Sequence, residues 1–317
     1  MSAYERLMDR LHRGEVVILD GPTGTELQAR GAPMDPAAWC GPATLENDRL
    51  LVDIHTDYIA AGAEIVTANT FAASRLMLEG AGLADRAGEI VTRAVTAART
   101  ARDACGRDVV VAGSLSHMMP IAGGLATPDL GRLASEGAME DAFGVLASQL
   151  KEAGVELIIL EMMYHPVRVP IALRAALATG LPVWFGASAR RAASGDVVAF
   201  HTYSDVPLDE IAALIPAVGV DVAGIMHTGG EVITDALAII RRHFPGPLMA
   251  YPDSGYFEMP DWRFVDVVTP ARYEAFCGEW LAAGARLLGG CCGLGVDHIR
   301  AAVRARAAWR AQQVATA

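Results

Sequence analysis

Eight short runs rich in aliphatic residues recur along this chain, most of them followed by an amphipathic segment of helical period, and this alternation limits the fold more than any other feature. The runs span residues 16–20, 64–68, 109–113, 157–161, 183–187, 222–226, 248–251 and 286–289. The helical segments span 48–61, 83–104, 136–153, 208–217, 231–243, 270–283 and 296–311. Parallel strands need a long crossover between them, and a helix supplies it, so strands alternating with helices predict a parallel α/β architecture. Eight units predict a closed (β/α)8 TIM barrel occupying residues 1–317 as one domain. An open, doubly wound sheet is the competing architecture, but its Gly-x-Gly-x-x-Gly turn with an acid downstream is missing.

Composition narrows the function. With 317 residues, 52% of them hydrophobic and 20% charged, the chain can bury a large core. A net charge of -11 argues against a nucleic-acid surface and favours small-molecule substrates. No apolar run reaches the roughly 18 residues a membrane span needs, and the first residues, Met1 to Arg6, lack a signal-peptide core. A reducing cytoplasmic setting is the expectation. The five cysteines form no regular disulfide pattern, which leaves free thiols or metal ligands.

In barrels of this kind the reactive groups gather at the C-terminal ends of the strands. Here those ends carry Asp20 to Thr25, Asn69, Ser114, Glu161, Ser188, His227, Tyr251 to Gly255, and Cys291 with Cys292. The vicinal cysteines lie between Gly290 and Gly293, where the backbone is free to turn both sulfurs toward one point. Two unrelated core thiols or a vicinal redox disulfide are alternatives, but joint placement with His227 on one rim favours a Zn²⁺ site. Three protein ligands would leave the fourth position open for substrate. Asp20 and Glu161 each close an apolar run, where an unpaired carboxylate is costly to bury. A cationic ligand would compensate them; capping of local backbone is the alternative. The turn of Gly21, Thr23, Gly24 and Thr25 offers backbone N–H groups to an anion such as a carboxylate. Acids for an amino group, amides for a carboxylate and a metal above the side chain describe an amino-acid site.

Several segments together resemble the homocysteine S-methyltransferase family. They are Asp20 to Leu27, Ala61 to Glu64 leading to Thr67 to Phe71, Ala153 to Leu157 leading to Glu161, Tyr251 to Gly255, and Gly284-Ala285 leading to Gly289-Gly290-Cys291-Cys292-Gly293. The resemblance runs from about residue 14 to about residue 304, with the Gly-Gly-Cys-Cys-Gly element its most specific part. It implies a zinc barrel that methylates the thiolate of homocysteine to give methionine. It further implies that Asp20 and Glu161 hold the substrate amino group, that the turn from Gly21 to Thr25 holds its carboxylate, and that Cys291 and Cys292 are zinc ligands. Asn69, Tyr251 and Asp253 complete the expected substrate-binding set.

Two departures from the family pattern fall at the site. Met226-His227 stand where the family has Asn-Cys, and Asp253 replaces the Asn of Tyr-Pro-Asn-x-Gly. Pro22 also removes one N–H donor from the first turn. With His227 as third ligand the zinc centre is formally neutral. That favours an activated onium methyl donor of the S-methylmethionine, S-adenosylmethionine or betaine type. Trp184, Tyr251, Tyr256, Phe257 and Trp262 are aromatic candidates for such a cation, with ordinary packing as the competing reading. A different thiol acceptor or methylated substrate, and a zinc-free binding protein for amino acids or betaines, are the rival functions. A phosphate-handling lyase or isomerase would need a strand-end lysine, and none is visible.

Overall fold

The computed structural model describes residues 1–120, 133–200, 204–258 and 263–316. Its eight-stranded sheet is entirely parallel: Val17–Ile18, Ile65–Ala68, Val110–Ser116, Leu157–Met163, Val183–Ala187, Val222–Gly229, Leu248–Asp253 and Ala285–Leu288. These are called the first to eighth strands below. From the second strand on, each pairs with the next, and the eighth pairs with the first. A parallel bridge between Leu19 and Ile65, with the Glu64 N–H donating to the Ile18 carbonyl at 2.8 Å, joins first to second and closes the ring. The expected (β/α)8 barrel is therefore the fold.

Helices cover the outside because one face of each is apolar. In Asp48–Ala61, for example, Leu51, Ile54, His55, Tyr58 and Ile59 point inward. Gly62 ends that helix at φ 116, a left-handed conformation that turns the chain directly into the second strand. Inside the ring, Val17, Leu19, Ile65, Val110, Leu157, Ile159, Trp184, Val222, Met249 and Leu287 pack as one cluster.

The expected pattern lacked the short helices Thr23–Ala29 and Arg75–Glu79 and two longer ones. Ala3–His12 plugs the N-terminal end of the barrel, adding Leu7, Met8 and Leu11 to the interior cluster. Its start is fixed by a capping box between Ser2 and Glu5. Tyr4 on this helix donates to Asp221 Oδ2 at 2.6 Å and accepts from Trp184 Nε1 at 3.0 Å. Trp184 is thus fully buried at the end opposite the strand termini, and it is not a candidate donor contact. The second helix, Arg168–Ala178, is apolar around much of its circumference, which hides its period, and carries Pro170 in the first turn, where no intrahelical N–H is needed. Among the described residues, no helix is long and apolar enough to cross a membrane.

Candidate active site

The strands that carry the site run further than their hydrophobicity indicates. The sixth extends to Gly229 and the fourth to Met163, and each has a break in register near its end. Between the pairs Met226–Tyr251 and Gly229–Asp253 the sixth strand bulges, and His227 lies in that bulge with φ 44. The Met226 carbonyl is satisfied by the hydroxyls of Ser188 and Thr228, each donating at 2.8 Å. Met162, beside Glu161 in the other irregularity, has φ 61. Bulges re-aim side chains at the rims of barrels, which is their effect on His227 and Glu161 here.

The ligating atoms of His227, Cys291 and Cys292 all lie within 4.8 Å of one another. Cys291 Sγ stands 3.8 Å from His227 Nδ1 and 4.0 Å from Cys292 Sγ. The cysteine turn is tied to the seventh strand, Cys291 N–H donating to the Pro252 carbonyl at 2.7 Å and Ser254 N–H to the Cys292 carbonyl at 3.0 Å. Such a set of one imidazole and two thiols can hold a metal ion. Without one, the centre is electrostatically tense. Proximity to Cys292 and burial push the Cys291 thiol well above its usual range. Burial disfavours the His227 imidazolium, but Asp253, Cys291 and Glu161 outweigh it and raise the group to about 9.

These residues line a cavity of about 400 Å³ at the C-terminal mouth of the barrel. Gly21, Thr23, Gly24, Asn69, Glu161, Tyr251 and Asp253 share its wall with the three ligand candidates, whereas Asp20 and Thr25 do not line it. Asp20 is fully buried, and its carboxylate accepts from the Thr67 N–H at 2.6 Å, the Thr67 hydroxyl at 3.1 Å and the Tyr251 hydroxyl at 3.4 Å. Burial pushes it up to about 8. Thr25 accepts the Gly293 N–H at 3.3 Å, bracing the cysteine turn. Asn69 is spent on scaffolding too: its oxygen accepts from Thr23 at 3.1 Å, and its amide donates to the Cys40 carbonyl at 3.1 Å and to Thr44 at 3.0 Å. Glu161 faces the cavity, and burial raises it to about 7 against the opposing pulls of Ser114 and His227.

Much of the remaining wall is aromatic. Trp39 meets Phe71 at 6.0 Å and Phe257 at 5.8 Å, and Phe257 meets Phe264 at 4.6 Å. Phe200 packs edge-on against His227 at 4.9 Å. Tyr256 sits at the exposed rim. A side chain at Gly24 would come within 2.6 Å of the Trp39 ring, so the first turn must be bare for Trp39 to close over it. Phe71 follows Asn69 at the end of the second strand, as expected, though not as an aromatic candidate; Trp39, Phe200 and Phe264 were not anticipated, because they come from connections after the strands, Phe264 from the short strand Arg263–Val265, whose return to the mouth leaves no periodic signal. Trp262 lies outside the described residues.

Residues 17–306 match the family model for homocysteine S-methyltransferase. The chain belongs to the homocysteine S-methyltransferase family. Homocysteine S-methyltransferase 4 of Zea mays is 26% identical over 316 residues, covering 92% of this chain and 90% of that protein. Homocysteine S-methyltransferase of Escherichia coli K12 is 28% identical over 312 residues, covering 92% and 96% respectively. Among solved structures, the metallated form of the homocysteine methyltransferase MmuM from Escherichia coli superposes with a TM-score of 0.73 at 24% identity, covering 95% of this chain and 99% of that one. His227 and Asp253, the two positions at which a departure from the family pattern is expected, both line this cavity.

Proposed function

We propose that the protein transfers a methyl group from a small onium donor to homocysteine, giving methionine, at a zinc ion held by His227, Cys291 and Cys292. The observation that carries this reading is the convergence of one imidazole and two thiols within 4.8 Å on the wall of an aromatic cavity. The donor set suits zinc. Tetrahedral zinc, with bonds of about 2.3 Å to sulfur and about 2.0 Å to nitrogen, spaces such atoms roughly 3.5–3.8 Å apart. Separations of 3.8 and 4.0 Å are close to that requirement. Bound there, zinc would acidify the acceptor thiol and hold its sulfur as a thiolate.

The chain's own residues bind and orient. Glu161 pairs with the acceptor's ammonium, which favours the ionised carboxylate that burial alone disfavours. The backbone from Gly21 to Gly24 faces the acceptor's carboxylate. Asp20 acts from behind the wall, holding the Tyr251 hydroxyl and the Thr67 backbone in place. Trp39, Phe71, Phe257 and Phe264 offer ring faces to the donor cation, an interaction worth about 0.5–2 kcal/mol. In the reaction a bond forms between the acceptor sulfur and the methyl carbon as the bond from methyl to the onium atom breaks. The released electron pair returns to the donor, and the thiol proton goes to solvent. A cytoplasmic setting belongs to the same proposal, since the centre requires reduced cysteines.

Elemental analysis tests the metal. Purified protein should hold about one zinc per chain, and Cys291→Ser or His227→Ala should lose most of it. Absence of zinc after metal-replete purification would sink the reading. Activity is tested by offering homocysteine with S-methylmethionine, S-adenosylmethionine, betaine or a dimethylsulfonium compound; methionine should form with at least one donor.

A further inference from the structure

We propose that the buried hydroxyls of Ser188 and Thr228 are positioning groups of the metal centre, holding the backbone on either side of His227 so that its imidazole meets Cys291 and Cys292. This rests on the zinc reading above and adds to it two side chains that lie outside the ligand set. Among the described residues, backbone pairing between the fifth and sixth strands ends at Ala187–Ile225. Beyond that pair, side chains take over the link. The Ser188 hydroxyl donates to the Met226 carbonyl at 2.8 Å, and the Ala189 N–H donates to the Thr228 hydroxyl at 2.9 Å. These two bonds fall on the residues immediately before and after His227. On the other side of the sixth strand the register to the seventh is broken between Met226 and Gly229, as a bulge requires, so the fifth strand supplies the fixed reference. Thr228 also donates to the Met226 carbonyl at 2.8 Å, closing the bulge on itself.

Ser188 is itself firmly placed. Its N–H donates to the Met163 carbonyl at 3.0 Å, tying it to the end of the fourth strand, and its carbonyl accepts from the Phe200 N–H at 2.9 Å. The ring of Phe200 packs in turn on His227 at 4.9 Å. Ser188 and Thr228 are both fully buried, so water is not at hand to replace a lost hydroxyl. The conformation of His227 shows why such a hold is needed. A non-glycine residue at φ 44 is strained and persists only when its surroundings keep it there. A metal site tolerates errors of only about 0.2 Å in ligand distance, so slack in the bulge is felt as lost affinity.

A hydroxyl that merely satisfied a buried carbonyl would stabilise the metal-free and metal-loaded chains alike, and its removal would leave zinc affinity unchanged. A hydroxyl that positions His227 affects affinity, and does so only while there is an imidazole to position. The two roles therefore separate in a double-mutant cycle with His227.

The test uses the full-length chain with Ser188→Ala, His227→Ala and the two combined, zinc affinity being read by competition against a chromophoric chelator. Ser188→Ala should weaken zinc binding by about 3–10-fold with His227 present, the worth of one buried neutral hydrogen bond. In the His227→Ala background it should cause no further loss. The visible bands of Co²⁺-loaded Ser188→Ala should move toward those of Co²⁺-loaded His227→Ala, since both changes withdraw the imidazole from the ion. Thr228→Val, which removes the second link at nearly constant volume, should give the same His227-dependent loss and serves if Ser188→Ala does not fold. An equal loss in both backgrounds, or no change in either, overturns the proposal while leaving the metal centre standing. A wild-type protein that takes up no zinc overturns the metal centre and this inference with it.

Discussion

At the scale of single residues, Glu161 and Asp20 divide a role that their sequence context makes look shared. Both close apolar strands, yet only Glu161 lines the cavity, while Asp20 is committed to Thr67 and Tyr251. Burial places the free Glu161 carboxyl at about 7, so below that pH the empty site is protonated and an incoming ammonium must displace a proton. Affinity for methionine, which carries no thiol to titrate, should therefore fall as pH drops through 7 and level off above it. Glu161→Gln should weaken binding at pH 8 by about 10–100-fold, the loss of one charged hydrogen bond, and flatten the profile. Calorimetric titration at pH 6 and 8 checks both. An unchanged slope in the variant would assign the pH dependence to another group.

At the scale of elements, the ring of strands was legible because burial imposes a period on sequence. The eight aliphatic runs sit on the observed strands to within a few residues. The strand ends were not, because a bulge is set by pairing with a neighbour and not by local hydrophobicity. His227 and Asp253 were accordingly read as separate loop residues, although the register between the sixth and seventh strands places them side by side. Of the aromatic wall, Tyr251, Tyr256 and Phe257 were anticipated, while Trp39, Phe200 and Phe264 were not, because the segments that carry them have no helical or strand period to place them at the mouth. The helix Asp48–Ala61 hides a further feature: His55 is fully buried, and among the described residues neither ring nitrogen has a hydrogen-bond partner. Burial lowers its pKa from 6.5 to about 4. As pH falls below 6.5 the unfolded chain takes up this proton and the folded one does not, so stability declines between pH 6.5 and 4, by on the order of 3 kcal/mol. His55→Leu should remove that slope without lowering stability at neutral pH, since an unpaired buried polar group is replaced by an apolar one. Urea unfolding at pH 5 and 7.5 measures it, and equal slopes in the two proteins would refute the assignment.

At the scale of the whole molecule, the barrel has two ends with different fates. The N-terminal end is stoppered by Leu7, Met8 and Leu11 and latched by Tyr4 to Asp221 and Trp184. Among the described residues, the interior between stopper and site is packed with apolar side chains, and the reactive wall opens at the strand-terminal mouth. The deep residues of that mouth include Cys292 and Tyr251, both nearly inaccessible, whereas Tyr256 at the rim is open to solvent. One doorway serving two substrates imposes a queue. The acceptor, whose sulfur must reach the cysteines, has to pass the aromatic ring before the donor settles there, and the demethylated donor must leave before methionine can. Initial-rate kinetics should then be sequential and ordered, with an unreactive donor analogue inhibiting uncompetitively against homocysteine; competitive inhibition would mean that the donor can enter first. The stopper at the far end thus determines which molecule knocks first.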